Sequence, residues 1–113
     1  MHATLDMTNL RTMIDNDSAI ECELIHAFHA CYAASLRDLE NGLTQHDNVQ
    51  WYNGAHAIKG IAVNIGAYRL GDLCLHAEQA SDEKNSVKQS MLDAIQQNYL
   101  EVCQALQNAA LRN

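Results

Sequence analysis

The chain has 113 residues, with 14 acidic residues against 7 lysines and arginines, and its formal net charge is −7. A chain of this length is predicted to form one domain over residues 1–113, burying roughly two thirds of its unfolded surface. The excess of acidic residues, without a cluster of lysines and arginines on one face, disfavours nucleic acid as a partner. The apolar runs fall short of the ~18 residues that a membrane span needs, which predicts no direct membrane contact and a cytoplasmic location.

The absence of proline and the presence of only five glycines leave long uninterrupted periodic segments. No segment alternates at period two for long enough to indicate a strand, so the fold is predicted to be all-α. A short first helix is expected after Thr8, ending in Asp15-Asn16-Asp17, with Asp17 or Ser18 capping the next helix. This second helix is expected to reach about Glu40, with Asn41-Gly42 as its stop.

A third helix is predicted over roughly Asn48 to Ile65, and Gly66 is expected to turn the chain into a fourth helix. The fourth helix would end at Ser81-Asp82, and a final helix would run from about Asn85 to Leu111. Connections this short favour an antiparallel up-down-up-down four-helix bundle with a short extra N-terminal helix.

Cysteines occur at four positions without the paired spacing of a disulfide framework or a metal site, and no secretory signal precedes them. They are predicted to be reduced thiols in or near the core. These residues are Cys22, Cys31, Cys74 and Cys103.

His56 lies opposite the apolar stripe of the third predicted helix. The stripe consists of Trp51, Ala55, Ile58, Ala62 and Ile65. At about 100° per residue, His56 falls roughly 160° from Ile58, so its imidazole should point into water. Gly60 falls roughly 200° from Ile58. The ammonium of Lys59 lies about 60° round from His56, close enough to offset phosphate charge without blocking the ring. This is the chemistry of a phosphorylatable histidine.

Gly60 is the second unusual feature of this segment, because glycine costs a helix about 1 kcal/mol relative to alanine. A glycine one turn from an exposed imidazole suggests that a bulky partner approaches closely. The plainer interpretation is a solvated histidine beside a glycine that packs against another helix. A packing glycine should lie on the apolar stripe, however, and Gly60 lies opposite it.

A surplus apolar flank is predicted on the second helix, about 100° from its core stripe. It comprises Ile20, Leu24, Ala27 and Cys31. On the third helix, Val49, Tyr52 and Val63 share the side that carries His56 and could form a partly apolar collar. Such a patch is commonly a docking surface. A wider buried arc, or cover by the first helix, explains the flank equally well.

A metal site is a competing hypothesis, because the chain has six histidines and four cysteines. Cys22 and His26, or His26 and His29, are neighbours on one helix face. Two helical neighbours supply at most half of a tetrahedral site, and no Cys-x-x-Cys or His-Glu-x-x-His motif occurs. No metal is therefore predicted. The histidines expected to be solvated or locally bonded are His2, His29, His46 and His76.

The segment around His56 resembles the histidine-containing phosphotransfer family of bacterial two-component phosphorelays. The family pattern is matched by His56, Ile58, Lys59, Gly60, Gly66, Leu70 and Cys74. The resemblance implies a four-helix bundle that accepts a phosphoryl group on His56 from a receiver-domain aspartyl phosphate and passes it to another receiver. It also implies that Glu78, 22 residues after His56, hydrogen-bonds the imidazole and takes part in catalysis with Lys59. The initial Met1 and the full-length fit favour a free-standing protein.

The partners implied are response regulator receiver domains and a hybrid sensor histidine kinase. The chain has no Walker-type loop and no glycine-rich nucleotide lid, so it is predicted to have no kinase or ATPase activity. No cofactor of its own is expected, and magnesium is expected on the receiver partner. We expect a monomer. The alternative function is a helical adaptor that binds partners independently of phosphorylation.

Overall fold

The structure is a computed structural model that describes the backbone of residues 4–111 and the side chains of residues 4–109. Five helices and no strand occur within the described range. They are α1 (Thr8–Met13), α2 (Ser18–Thr44), α3 (Asn48–Ile65), α4 (Tyr68–Gln79) and α5 (Asn85–Leu111). Helices α2 to α5 form the bundle, in which α3 packs between α2 and α4, and α5 packs on α4 and α2. The all-α prediction is confirmed.

Aspartates cap α2 and α3. The Asp17 carboxylate accepts hydrogen bonds from the backbone N–H groups of Ala19 and Ile20 at the start of α2. Asp47 accepts from the N–H of Gln50 at the start of α3. Because these N–H groups have no partner within the helix, each cap contributes typically ~1 kcal/mol.

The predicted end of α2 is wrong, because the helix continues past Asn41-Gly42 to Thr44. Gly42 is buried, and a Cβ atom there would lie 2.7 Å from the backbone nitrogen of Trp51. This glycine lets α2 and α3 approach closely instead of ending a helix. The chain turns beyond it, where His46 has a positive φ of 55°.

The apolar stripe of α3 is buried along its whole length, as predicted. Exposed fractions are 0% for Trp51, Ala55, Ile58 and Ala62 and 1% for Ile65. The indole Nε1 of Trp51 donates to the backbone oxygen of Ala77 at 2.8 Å, which links the cores of α3 and α4. The opposite side of α3 therefore faces solvent.

The four cysteines are free and differ in burial. Cys74 is buried, Cys31 and Cys103 are half-buried, and Cys22 is exposed. The core prediction is therefore wrong for Cys22, which lies on the solvent side of α2.

Gly66 ends α3 in the left-handed region, with φ of 91°. Its carbonyl accepts from the N–H of Asp6 at 2.9 Å, and a Cβ atom at Gly66 would meet the Asp6 oxygen at 1.8 Å. The segment before α1 thus lies directly over this turn.

We expect Gly66→Ala to lower the free energy of unfolding by about 1–3 kcal/mol from the left-handed backbone alone, with the contact at Asp6 adding to the loss. Urea denaturation followed by circular dichroism measures this loss in the free energy of unfolding. Gly60→Ala is the matched control on α3, because a Cβ there meets no heavy atom within 4 Å; it should raise stability by up to ~1 kcal/mol. Equal stabilities for the two variants would contradict this interpretation.

Candidate functional site

His56 projects from the solvent side of α3, with 59% of its side chain exposed. Its Nδ1 lies 3.3 Å from Oε1 of Glu78 on α4. An ionised carboxylate only accepts hydrogen bonds, so Nδ1 carries the proton in this pair and Nε2 keeps its lone pair. Among the described residues, no hydrogen-bond partner faces Nε2. The imidazole is therefore held at one nitrogen and open at the other.

Three donor side chains interact with the Glu78 carboxylate. Besides His56, the Lys59 ammonium lies 3.0 Å from Oε2, and the Tyr52 hydroxyl interacts with the same carboxylate. Burial of Glu78 acts to raise its pKa, but the hydrogen bonds from Lys59, Tyr52 and His56 outweigh this and hold the pKa below its usual value. Glu78 is therefore ionised at neutral pH and acts as an acceptor.

Tyr52 lies one helical turn before His56, and the two rings are nearly parallel. Their centroids are 5.7 Å apart and their planes differ by 9°. The hydrogen bond to Glu78 raises the pKa of the Tyr52 phenol, so the hydroxyl keeps its proton and remains a donor. The sequence pattern predicts Tyr52 only as part of an apolar collar. Its spacing of four from His56 is a signal from which ring contact could have been predicted, but the interaction with Glu78 on α4 depends on how the helices pack.

Lys59 and Gly60 occupy different surroundings beside His56. The Lys59 side chain is 28% exposed, and its ammonium is engaged by Glu78, which puts the positive charge on the Nδ1 side of the imidazole. Gly60 is exposed and has open space where a Cβ would be. The surface over the turn after His56 is therefore flat, as close approach of a partner requires. Roles in transfer stay predictions for both residues.

The predicted docking flank on α2 divides into two parts. Ile20 and Ala27 are exposed, whereas Leu24 and Cys31 are half-buried. Leu24 packs on the core and shares a groove with residues of α1, and the Cys31 thiol lies 3.9 Å from the backbone oxygen of Ala57 on α3. Contacts with α1 and α3 cover part of the flank, as the cover explanation predicts, and leave the rest exposed.

Exposed apolar side chains lie on α3 before and after His56. Val49, Tyr52 and Val63 on α3 have exposed fractions of 70%, 39% and 46%. These side chains provide apolar area for a partner. On α2, Ile20 is also exposed, at 42%. Use of this area for docking remains a prediction.

The remaining histidines do not gather into a metal site. Within residues 4–109, no group of three or more histidine, cysteine or acidic side chains could hold a metal ion. His29 Nδ1 lies 2.6 Å from the Tyr99 hydroxyl, and His46 Nδ1 lies 3.3 Å from the side-chain nitrogen of Asn85, so both are locally bonded, as predicted. His76 is exposed, and His2 lies outside the described residues.

None of the described helices has the length and apolar character to cross a membrane.

The profile of the Hpt domain family matches residues 23–110. The chain belongs to the Hpt domain family. The family match supports a phosphotransfer role in two-component signalling for this Hpt domain. The matched range includes His56, Lys59, Gly60 and Glu78.

A solved structure shares the fold. The Hpt domain superposes on the crystal structure of histidine-containing phosphotransfer protein B (HptB) from Pseudomonas aeruginosa PAO1 with a TM-score of 0.84 and 19% sequence identity, covering 100% of this chain and 99% of that chain. At this identity the likeness concerns the fold. A search of curated protein sequences finds no match.

Proposed function

We propose that this Hpt domain accepts a phosphoryl group on Nε2 of His56 from the aspartyl phosphate of one receiver domain and delivers it to an aspartate of another. The observation that carries the proposal is the state of the imidazole: Nδ1 is held by Glu78 at 3.3 Å, while Nε2 faces solvent. An exposed nucleophile with a fixed tautomer is what a phosphoryl acceptor needs.

In the accepting step, the Nε2 lone pair forms a bond to phosphorus as the bond to the aspartyl oxygen breaks, and that oxygen leaves as carboxylate. The imidazole gains positive charge, and the Glu78 carboxylate beside Nδ1 stabilises it. Delivery to a second receiver reverses these bond changes at a new aspartate. Phosphoryl transfer depends mainly on in-line positioning and charge neutralisation, and we propose that the receiver binds the magnesium.

The partners proposed are receiver domains downstream and a hybrid sensor kinase upstream, with the Hpt domain acting as a monomer. To test the proposal, receivers from the same genome are phosphorylated with a small phosphodonor and mixed with the Hpt domain. We expect label on the Hpt domain that is labile to acid and stable to alkali. Receivers that bind without exchanging label would instead favour the phosphorylation-independent adaptor.

We expect no labelling of the Hpt domain by ATP and magnesium alone, because the sequence has no Walker-type loop and no glycine-rich lid to hold triphosphate. Radiolabelled ATP and a phosphate-release assay measure this. The positive control is the same preparation labelled by a phosphorylated receiver. Direct labelling by ATP in a kinase-free preparation would show that the domain has autokinase activity.

A further inference from the structure

Tyr52 constrains the one torsion of His56 that its hydrogen bond leaves loose. Rotation about the bond to an imidazole ring has a broad energy minimum, and a single contact at Nδ1 fixes a point of the ring without fixing its plane. The Tyr52 ring lies 5.7 Å from the imidazole at an angle of 9°, within the range of offset-stacked pairs. Together, the stack and the hydrogen bond determine where Nε2 points.

The hydroxyl of Tyr52 acts on the same histidine by a second route. It interacts with the Glu78 carboxylate, whose Oε1 faces His56 and whose Oε2 faces Lys59. The Tyr52 hydroxyl adds a donor to those of His56 and Lys59, which helps to keep the carboxylate from rotating away from Nδ1. Since the bond at one imidazole nitrogen determines which tautomer is present, loss of the Tyr52 hydroxyl should loosen the choice of tautomer.

We propose that Tyr52 is a positioning residue for phosphoryl acceptance: its ring sets the plane of the His56 imidazole, and its hydroxyl orients the Glu78 carboxylate that selects the reactive tautomer. The inference rests on the proposed function of His56 as the acceptor. Tyr52 takes no part in bond making in this proposal and acts through His56 and Glu78.

Two variants separate the ring from the hydroxyl. Tyr52→Phe keeps the stack and removes the donor, whereas Tyr52→Leu removes both. The exposed neighbour Asn53 supplies the control, Asn53→Ala. Each protein is phosphorylated with phosphoramidate, where Nε2 attacks phosphorus and ammonia leaves, and separately by a phosphorylated receiver. The small donor matters because it needs no docking surface.

We expect Tyr52→Phe to slow labelling by phosphoramidate about 3- to 10-fold, the size of one lost hydrogen bond, and to slow receiver transfer by a similar factor. Tyr52→Leu should be slower still, and Asn53→Ala unchanged. Nitrogen-15 NMR of the imidazole should show the Nδ1–H form in wild type and a larger Nε2–H share in Tyr52→Phe.

In a double-mutant cycle, Tyr52→Phe should have little further effect on the tautomer or the rate once Glu78→Gln is present, because the hydroxyl acts through that carboxylate. An additive effect would contradict the route through Glu78.

Three results would overturn the inference. They are an unchanged tautomer in Tyr52→Phe, an unchanged phosphoramidate rate, and a loss confined to the receiver reaction, which would make Tyr52 a docking contact. The proposed function fails separately, if wild type takes no label from any phosphorylated receiver. The phosphoramidate and NMR measurements still test Tyr52 in that case.

Discussion

Replacing His56 with glutamine should abolish phosphoryl acceptance and leave the fold intact. Glutamine keeps a polar side chain of similar reach but has no nucleophilic ring nitrogen. The His56 side chain is 59% exposed, so the free energy of unfolding should change by no more than about 0.5 kcal/mol, as is usual for surface substitutions. Label transferred from a phosphorylated receiver, read on gels beside a urea denaturation of the same sample, measures both.

His76→Gln is the matched control, since His76 is also exposed and lies on another helix. It should accept label like the wild type. If His56→Gln were labelled at the wild-type level, the acceptor would be another residue and the proposed mechanism would be wrong.

Gly60→Gln is expected to produce the other large effect: a folded domain with little transfer activity. A side chain at Gly60 enters open space, with nothing within 4 Å of its Cβ, so helical circular dichroism and melting temperature should be retained. In the docked complex, the same side chain stands one turn from His56. There the receiver must bring phosphorus to within roughly 3–3.5 Å of Nε2, and about 1 Å of displacement can cost 100-fold in rate.

Phosphoramidate labelling gives this experiment its internal control, because the small donor can reach Nε2 beside a glutamine. We expect near-normal labelling of Gly60→Gln by phosphoramidate and a loss of up to about 100-fold with the receiver. The rate of transfer from the receiver to Gly60→Ala should lie between the rates for wild type and Gly60→Gln. Unchanged receiver kinetics in a stably folded Gly60→Gln protein would mean that close approach over this turn is not needed.

The helix pattern and the face that carries His56 could be predicted from the sequence, because they depend on local periodicity. The spacing of Trp51, Ile58 and Ile65 places these residues on one side of a helix, and burial of that side leaves His56 in water. The family resemblance predicts that Glu78 lies near His56. Periodicity alone does not predict this contact, because it does not align two helices.

Contacts between helices account for what the sequence did not predict. The bonds of Tyr52 and Lys59 to Glu78 depend on the height at which α4 packs against α3. Gly42 carried an ambiguous signal, because glycine both ends helices and permits close packing. Only the position of Trp51 opposite Gly42 shows that packing is its role here.

The indole bond from Trp51 to the oxygen of Ala77 has a consequence for the chemistry above it. Trp51 precedes Tyr52 and Ala77 precedes Glu78, so this one buried bond sets the vertical alignment of the two residues that hold the acceptor ring. A slip of one residue in α4 would turn Glu78 by about 100° and shift it by about 1.5 Å, removing it from Nδ1. The packing of the buried core thereby fixes the relative positions of residues that react on the surface of the bundle.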